Sequence, residues 1–371
     1  MKITRYHLIG IIAAVSVLLL ITPFVLNVQK PPSRPSLPEL INLPYCCPVG
    51  ITRDGAGHIF VAHSADHAIS VIDDSTFKII GNVSLASDFG GYGGPMGLVF
   101  DSRNGYIYAA NVPYRMITVI DSKTLEIVTS IDVKGYVPWL TLNTQRPELY
   151  AVLPDNDTIT AINTNTLKIT DVIRMNNTLL WSASYNPDDG NVYAAFLSGY
   201  ITIINGTSHQ TIGTITVYSG SVKFIAFDTY NHRLYGTGES GVVVADTKGS
   251  RHTVKEIHLP AELPYGYYLD EKGNSFVYGN YTDEMKSNSE KLGASPYGIV
   301  FDPDNRQMYV VLAGIGVLAV IDTETMNVTD YVPTRNSANV IVYDSDNKAL
   351  YISNEPEMSI SIIQIENNNA G

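Results

Sequence analysis

The sequence has almost no sulfur to staple it and little charge to wet it. Two cysteines stand among 371 residues, side by side as Cys46-Cys47, which excludes a fold held by a disulfide framework. Lysine and arginine number 24 against 36 acids, a formal charge of −12, and without Lys2, Arg5, Lys30 and Arg34 the remainder carries −16. A nucleic-acid binder needs a basic stripe, and none is written here. Charged residues are 16% of the chain, against ~25% in ordinary soluble proteins. No G-x-S-x-G elbow, H-E-x-x-H helix or phosphate loop occurs, and the string Asp302-Pro-Asp-Asn lacks the glycine and distal Glu of an EF-hand. These gaps leave no catalytic residue to nominate and, one metal option aside, no cofactor.

What the chain does have is repetition. Ser295 to Val332 reads as four short strands, Gly298–Phe301, Gln307–Leu312, Gly316–Ile321 and Met326–Tyr331, separated by Asp-Pro-Asp-Asn, Gly and Asp-Thr-Glu-Thr breaks. No helical apolar period runs through it. The aromatic of the second strand recurs as Phe60, Tyr108, Tyr150, Tyr193, Tyr235, Tyr278, Tyr309 and Tyr351, at spacings of 48, 42, 43, 42, 43, 31 and 42. Asp or Asn closes the first strand of each unit and most third strands, where the side chain caps its own turn.

A four-strand unit of about 42 residues predicts an all-β fold, a β-propeller of about eight four-stranded repeat units. That means seven or eight blades, with the sixth unit truncated; the count of anchors favours eight. The last unit stops after its third strand, and residues 38–43 read as a fourth strand, so the first and last segments are expected to share one blade. The wording of the units, as in "IYAANVPYRMITVIDSKTLEIV", resembles the YVTN repeat family of surface-layer-type propellers over about residues 38–367. The resemblance implies the propeller fold and an exterior setting, and leaves the activity open.

The flank before the repeats sets the expected location. Leu8 to Val28 is an apolar run of 21 residues, long enough to cross ~30 Å of hydrocarbon. Lys2 and Arg5 precede it, and no small-x-small cleavage site follows. The expected organisation is a cytoplasmic N-terminus (1–7), a transmembrane signal-anchor helix (8–28), a proline-rich stalk (29–37) and the propeller (38–371), single-pass and on the exterior face of the cell membrane. A cleaved signal is the alternative. Six sequons, at Asn82, Asn156, Asn176, Asn205, Asn280 and Asn327, fit glycosylation outside the cell.

Two candidate sites remain. Where each first strand begins, the residue after the Pro position varies from unit to unit: Val49, Met96, Pro138, Trp181, Lys223, Tyr265, Tyr297 and Asn339. Trp139, Trp181, Lys223, Tyr265, Tyr267 and Tyr297 would make an aromatic rim for an exterior protein or glycan partner. The same rings could instead plug the channel and pack on one another. At the first unit Cys46 and Cys47 share a face with His63 and His67. Three readings stand open there: a disulfide lid, inert thiols, or a soft-ligand metal site. The expected function is a binding or scaffold module serving adhesion, surface-layer contact or envelope-complex assembly. The alternatives are an exterior propeller enzyme of lactonase or lyase type, or a redox protein using the cysteine–histidine corner.

Overall fold

The structure is a computed structural model describing residues 38–85, 94–217, 220–249, 252–259, 294–335, 338–355 and 357–365, with 267–269 and 275–277 as backbone. The chain divides at residues 36 and 37, and every described residue belongs to the second part. That part holds seven four-stranded antiparallel sheets and one two-stranded hairpin. Among the described residues the one helical turn is the 3-10 segment Val112–Tyr114.

The sheets are the blades of a propeller, numbered here along the chain: 48–84, 95–132, 139–174, 180–216, 225–258, 296–333 and 338–364. Each begins with its innermost strand. These seven strands lie side by side around a channel, and the ring closes where Pro48–Arg53 meets Ala338–Asp344. Alternation along the second strand explains the nearly unbroken apolar runs. Ile59 and Val61 face blade 7 while Phe60 and Ala62 face blade 2, so both faces are buried between blades. The recurring tyrosine also ties neighbours together. The hydroxyl of Tyr108 donates to Thr164 O at 3.3 Å and that of Tyr235 to Thr323 O at 3.2 Å.

The count corrects the expectation of eight. Blade 5 is complete by itself, and its inner strand Ile225–Asp228 lies directly against Pro296–Asp302 of blade 6. Among the described residues the sixth repeat contributes the hairpin Tyr267–Leu269 with Ser275–Val277, which pairs with no blade. Its aromatic Tyr278 lies outside the described residues.

Closure follows the sequence expectation. Glu39–Asn42 pairs with Ser359–Ile362 as the outer strand of blade 7, and Leu43 N–H donates to Met358 O at 2.8 Å. Arg53 fastens the same seam, its guanidinium 2.8 Å from buried Asp344 and 3.1 Å from Asp74. The Asx residues act as turn caps throughout. Asp54, Asp101, Asn143, Asn186, Asp228, Asp302 and Asp344 each accept the N–H two residues on, at 2.8–3.1 Å.

The turn from third to fourth strand carries a second repeated device. In five blades an Asp or Asn caps it, and the residue four positions on adopts positive φ: Phe77 (54°), Leu125 (61°), Leu167 (56°), His209 (57°) and Met326 (59°). Such backbone costs of order 1–3 kcal/mol in a non-glycine residue. It is offset here because each side chain is driven as a wedge into the groove of the preceding blade. Among the described residues no helix is long and apolar enough to cross a membrane; the expected span, Leu8–Val28, lies outside them.

Candidate functional site

The upper face of the ring, where inner strands begin and second strands end, carries the varied column. Three inner strands open as Pro48-Val-Gly50, Pro95-Met-Gly97 and Pro296-Tyr-Gly298. The glycine is required by contact with the next inner strand. A Cβ there would fall 1.9 Å from Met96 O, 2.7 Å from Pro138 O and 2.3 Å from Asn339 O respectively.

Blades 3 and 5 carry Trp139 and Phe224 in that glycine position, and their rings turn into the channel instead. Trp139 and Phe224 meet edge to face at 4.9 Å between centroids, and Phe224 meets Tyr297 at 5.0 Å. Side chains from blades 3, 5 and 6 thus close the mouth. Beneath them lies a cavity of about 210 Å³ lined by all seven inner strands. Its hydroxyls are already engaged: Ser184 Oγ donates to Ile225 O at 2.8 Å, and Thr141 Oγ1 accepts Tyr185 N–H at 3.0 Å.

Polar groups ring the plug. Lys223 Nζ donates to Pro296 O at 3.4 Å and stands 5.9 Å over the Tyr297 ring. Burial lowers its ammonium pKa, with Glu239 opposing. Burial, then Glu355 and Tyr136, pushes the Tyr297 hydroxyl up to about 12, so it remains a neutral donor. Asn339 Nδ2 donates to Glu355 at 2.8 Å, and the Tyr136 hydroxyl reaches Met96 Sδ at 3.9 Å.

Of the expected rim residues, Trp139, Lys223 and Tyr297 come together, and half-buried Trp181 occupies the column in blade 4. Tyr267 stands on the two-stranded hairpin, which pairs with no blade, and Tyr265 lies outside the described residues. Phe224, Tyr136 and Glu355 were not foreseen. A signal for Phe224 existed, a ring where three other units write glycine.

At the edge of this face Cys46 and Cys47 are joined in a disulfide, with Cα atoms 3.8 Å apart. Cys46 N–H donates to Asp66, and Cys47 O accepts Ser64 N–H at 2.9 Å. His63 is fully buried beneath, its ring 5.3 Å from that of Tyr45 and Nε2 2.8 Å from Ser70 Oγ. Burial lowers its pKa to about 4. His67 packs outward on Tyr114 of the next blade, at 5.8 Å. Among the described residues no three of His, Cys, Asp and Glu gather as a metal needs. Cys46 and Cys47 are thus joined rather than free, in a loop over the buried His63. Of the sequons, Asn82, Asn156, Asn176 and Asn327 are exposed. Asn205 is half-buried and caps the turn to Thr207, and Asn280 lies outside the described residues.

Neither a family model nor a curated protein matches the sequence. Among solved structures, Kuenenia stuttgartiensis hydrazine synthase is similar in fold, with a TM-score of 0.71 at 14% identity over 88% of this chain and 98% of that one. Identity so low shows the shared propeller fold alone.

Proposed function

We propose that the protein is a membrane-anchored, glycosylated cell-surface propeller that acts as a binding or scaffold module, engaging an exterior protein or glycan with its upper face. One observation carries this reading: the rings of Trp139, Phe224 and Tyr297 shut the channel mouth, leaving a varied rim of Met96, Trp181, Lys223 and Asn339 over a conforming scaffold. Supporting it are the likeness of the repeats to YVTN surface-layer-type propellers, the apolar run Leu8–Val28 and the exposed sequons.

The test is capture of envelope proteins and arrayed glycans by the tagged full chain, compared with a Lys223→Ala/Asn339→Ala double variant. Loss of about fivefold or more in capture, with unchanged melting, is the expected result for rim contacts. Equal capture by both chains would remove the upper face from the reading. Mass spectrometry of protein from its host should find glycan on at least one exposed sequon, and unmodified mass would remove glycosylation from the reading; protection from protease in unbroken cells would sink the exterior placement.

A further inference from the structure

One groove between blades has no wedge among the described residues. Blades 1, 2, 3, 4 and 6 drive Phe77, Leu125, Leu167, His209 and Met326 into the blade before them, and in blade 5 Val254 packs in the corresponding cluster. Blade 7 cannot do the same. Its outer strand comes from the start of the chain, so among the described residues it has no third-to-fourth turn, and Gln364 stands where the other blades place the capping Asp or Asn. The result is a groove of about 450 Å³ between blades 6 and 7. Buried Tyr309, Leu318, Val320 and Leu350 floor it. At its side the last strand continues through Ile363 and Gln364, beyond the four residues that Glu39–Asn42 covers.

The chain contains a filled copy of this groove, between blades 3 and 4. There Glu148, Tyr150 and Asp171 hold the wedge His209. Nε2 lies 3.0 Å from Glu148 and Nδ1 2.9 Å from Asp171, with the ring edge-on to Tyr150. Blade 6 places Gln307, Tyr309 and Asp330 at the same three register positions, since Tyr150 pairs with Ala161 and Ala161 with Asp171, as Tyr309 pairs with Val320 and Val320 with Asp330. Even the internal bond repeats: Tyr150 Oη donates to Glu148 at 2.6 Å and Tyr309 Oη to Gln307 at 2.7 Å. Among the described residues no cation pairs with Asp330. We infer that the groove between blades 6 and 7 is a docking socket for an extended segment of a partner protein bearing an arginine or histidine side chain. The cationic group takes the place that His209 fills in the copy, between Asp330 and Tyr309, while the segment's backbone bonds to the strand edge at Ile363–Gln364.

The experiment uses the full chain and two fluorescent, capped peptides of alternating threonine and valine, one with a central arginine and one with alanine there. Fluorescence anisotropy should show saturable binding of the arginine peptide, weakened about tenfold in Asp330→Asn, in line with a charge-assisted hydrogen bond. The control Asp171→Asn alters a socket already filled by His209 and should leave binding unchanged. Asp330 is exposed, so its variant should fold, and a melting curve checks this. Three outcomes would overturn the socket: no saturation, as when the chain fills its own groove; equal binding of both peptides; or equal affinity of wild type and Asp330→Asn.

Discussion

His63 is a single residue with a measurable thermodynamic signature. Its imidazole is fully buried, and burial lowers its pKa from 6.5 to about 4. As pH falls below 6.5, the unfolded chain takes up a proton that the folded chain refuses until about pH 4. The stabilising difference is therefore complete above pH 6.5, shrinks between 6.5 and 4, and is constant below. The shift corresponds to about 3 kcal/mol. Thermal melts from pH 7 to 4.5 should fall more steeply for the wild type than for His63→Gln, which keeps a polar partner for Ser70 and titrates nothing. Parallel curves would show that His63 titrates in the fold as it does in the unfolded chain. At this scale the sequence was readable where chemistry is local: an Asp or Asn before a turn caps it regardless of the rest of the chain. It offered the plug only as an alternative and missed Phe224, because Trp139, Phe224 and Tyr297 are far apart in sequence and meet only once the ring has closed.

The packing of inner strands against one another makes a prediction about elements. Gly97 allows the inner strand of blade 2 to approach that of blade 3, and a Cβ would sit 2.7 Å from the backbone oxygen of Pro138. Backbone cannot yield as a side chain can. Gly97→Ala should cost about 1–3 kcal/mol, read from the urea midpoint. Gly81→Ala meets only the tip of Leu125, at 3.2 Å, and should cost less. The borrowed outer strand was legible because Glu39-Leu-Ile-Asn carries the fourth-strand pattern and the last repeat visibly lacks one. The wedges were not. Phe77, Leu125 and Met326 read as ordinary starts of a strand, and only the positive φ that throws them backward gives them their place.

For the whole molecule, blade number was the property the repeats overstated. Counting second-strand aromatics gives eight, because Tyr278 follows Tyr235 at an ordinary spacing of 43. The next spacing, 31, was the warning: too short for a blade, and followed by polar residues where two apolar strands belong. Leu259 and Ala294, the residues flanking that stretch, lie in one core cluster shared by blades 5 and 6. The two ends of the stretch between them therefore lie close together. Replacing residues 261–293 with a short glycine–serine linker should leave a folded seven-bladed ring with a melting temperature within about 3 °C of the parent. Loss of cooperative unfolding would mean that the segment is part of the architecture.

The direction of the first strand has a mechanical consequence. Pro38 enters at the lower face, and Glu39–Asn42 climbs beside Ser359–Ile362 toward the upper one. Tension on whatever precedes Pro38, directed away from the lower face, runs along the strand axis. The cross-strand hydrogen bonds then resist in shear, all strained together, rather than peeling one at a time. The pairing that completes the circle is thus also a latch oriented to hold under pull, and the face with the plugged mouth stays turned away from the source of the force.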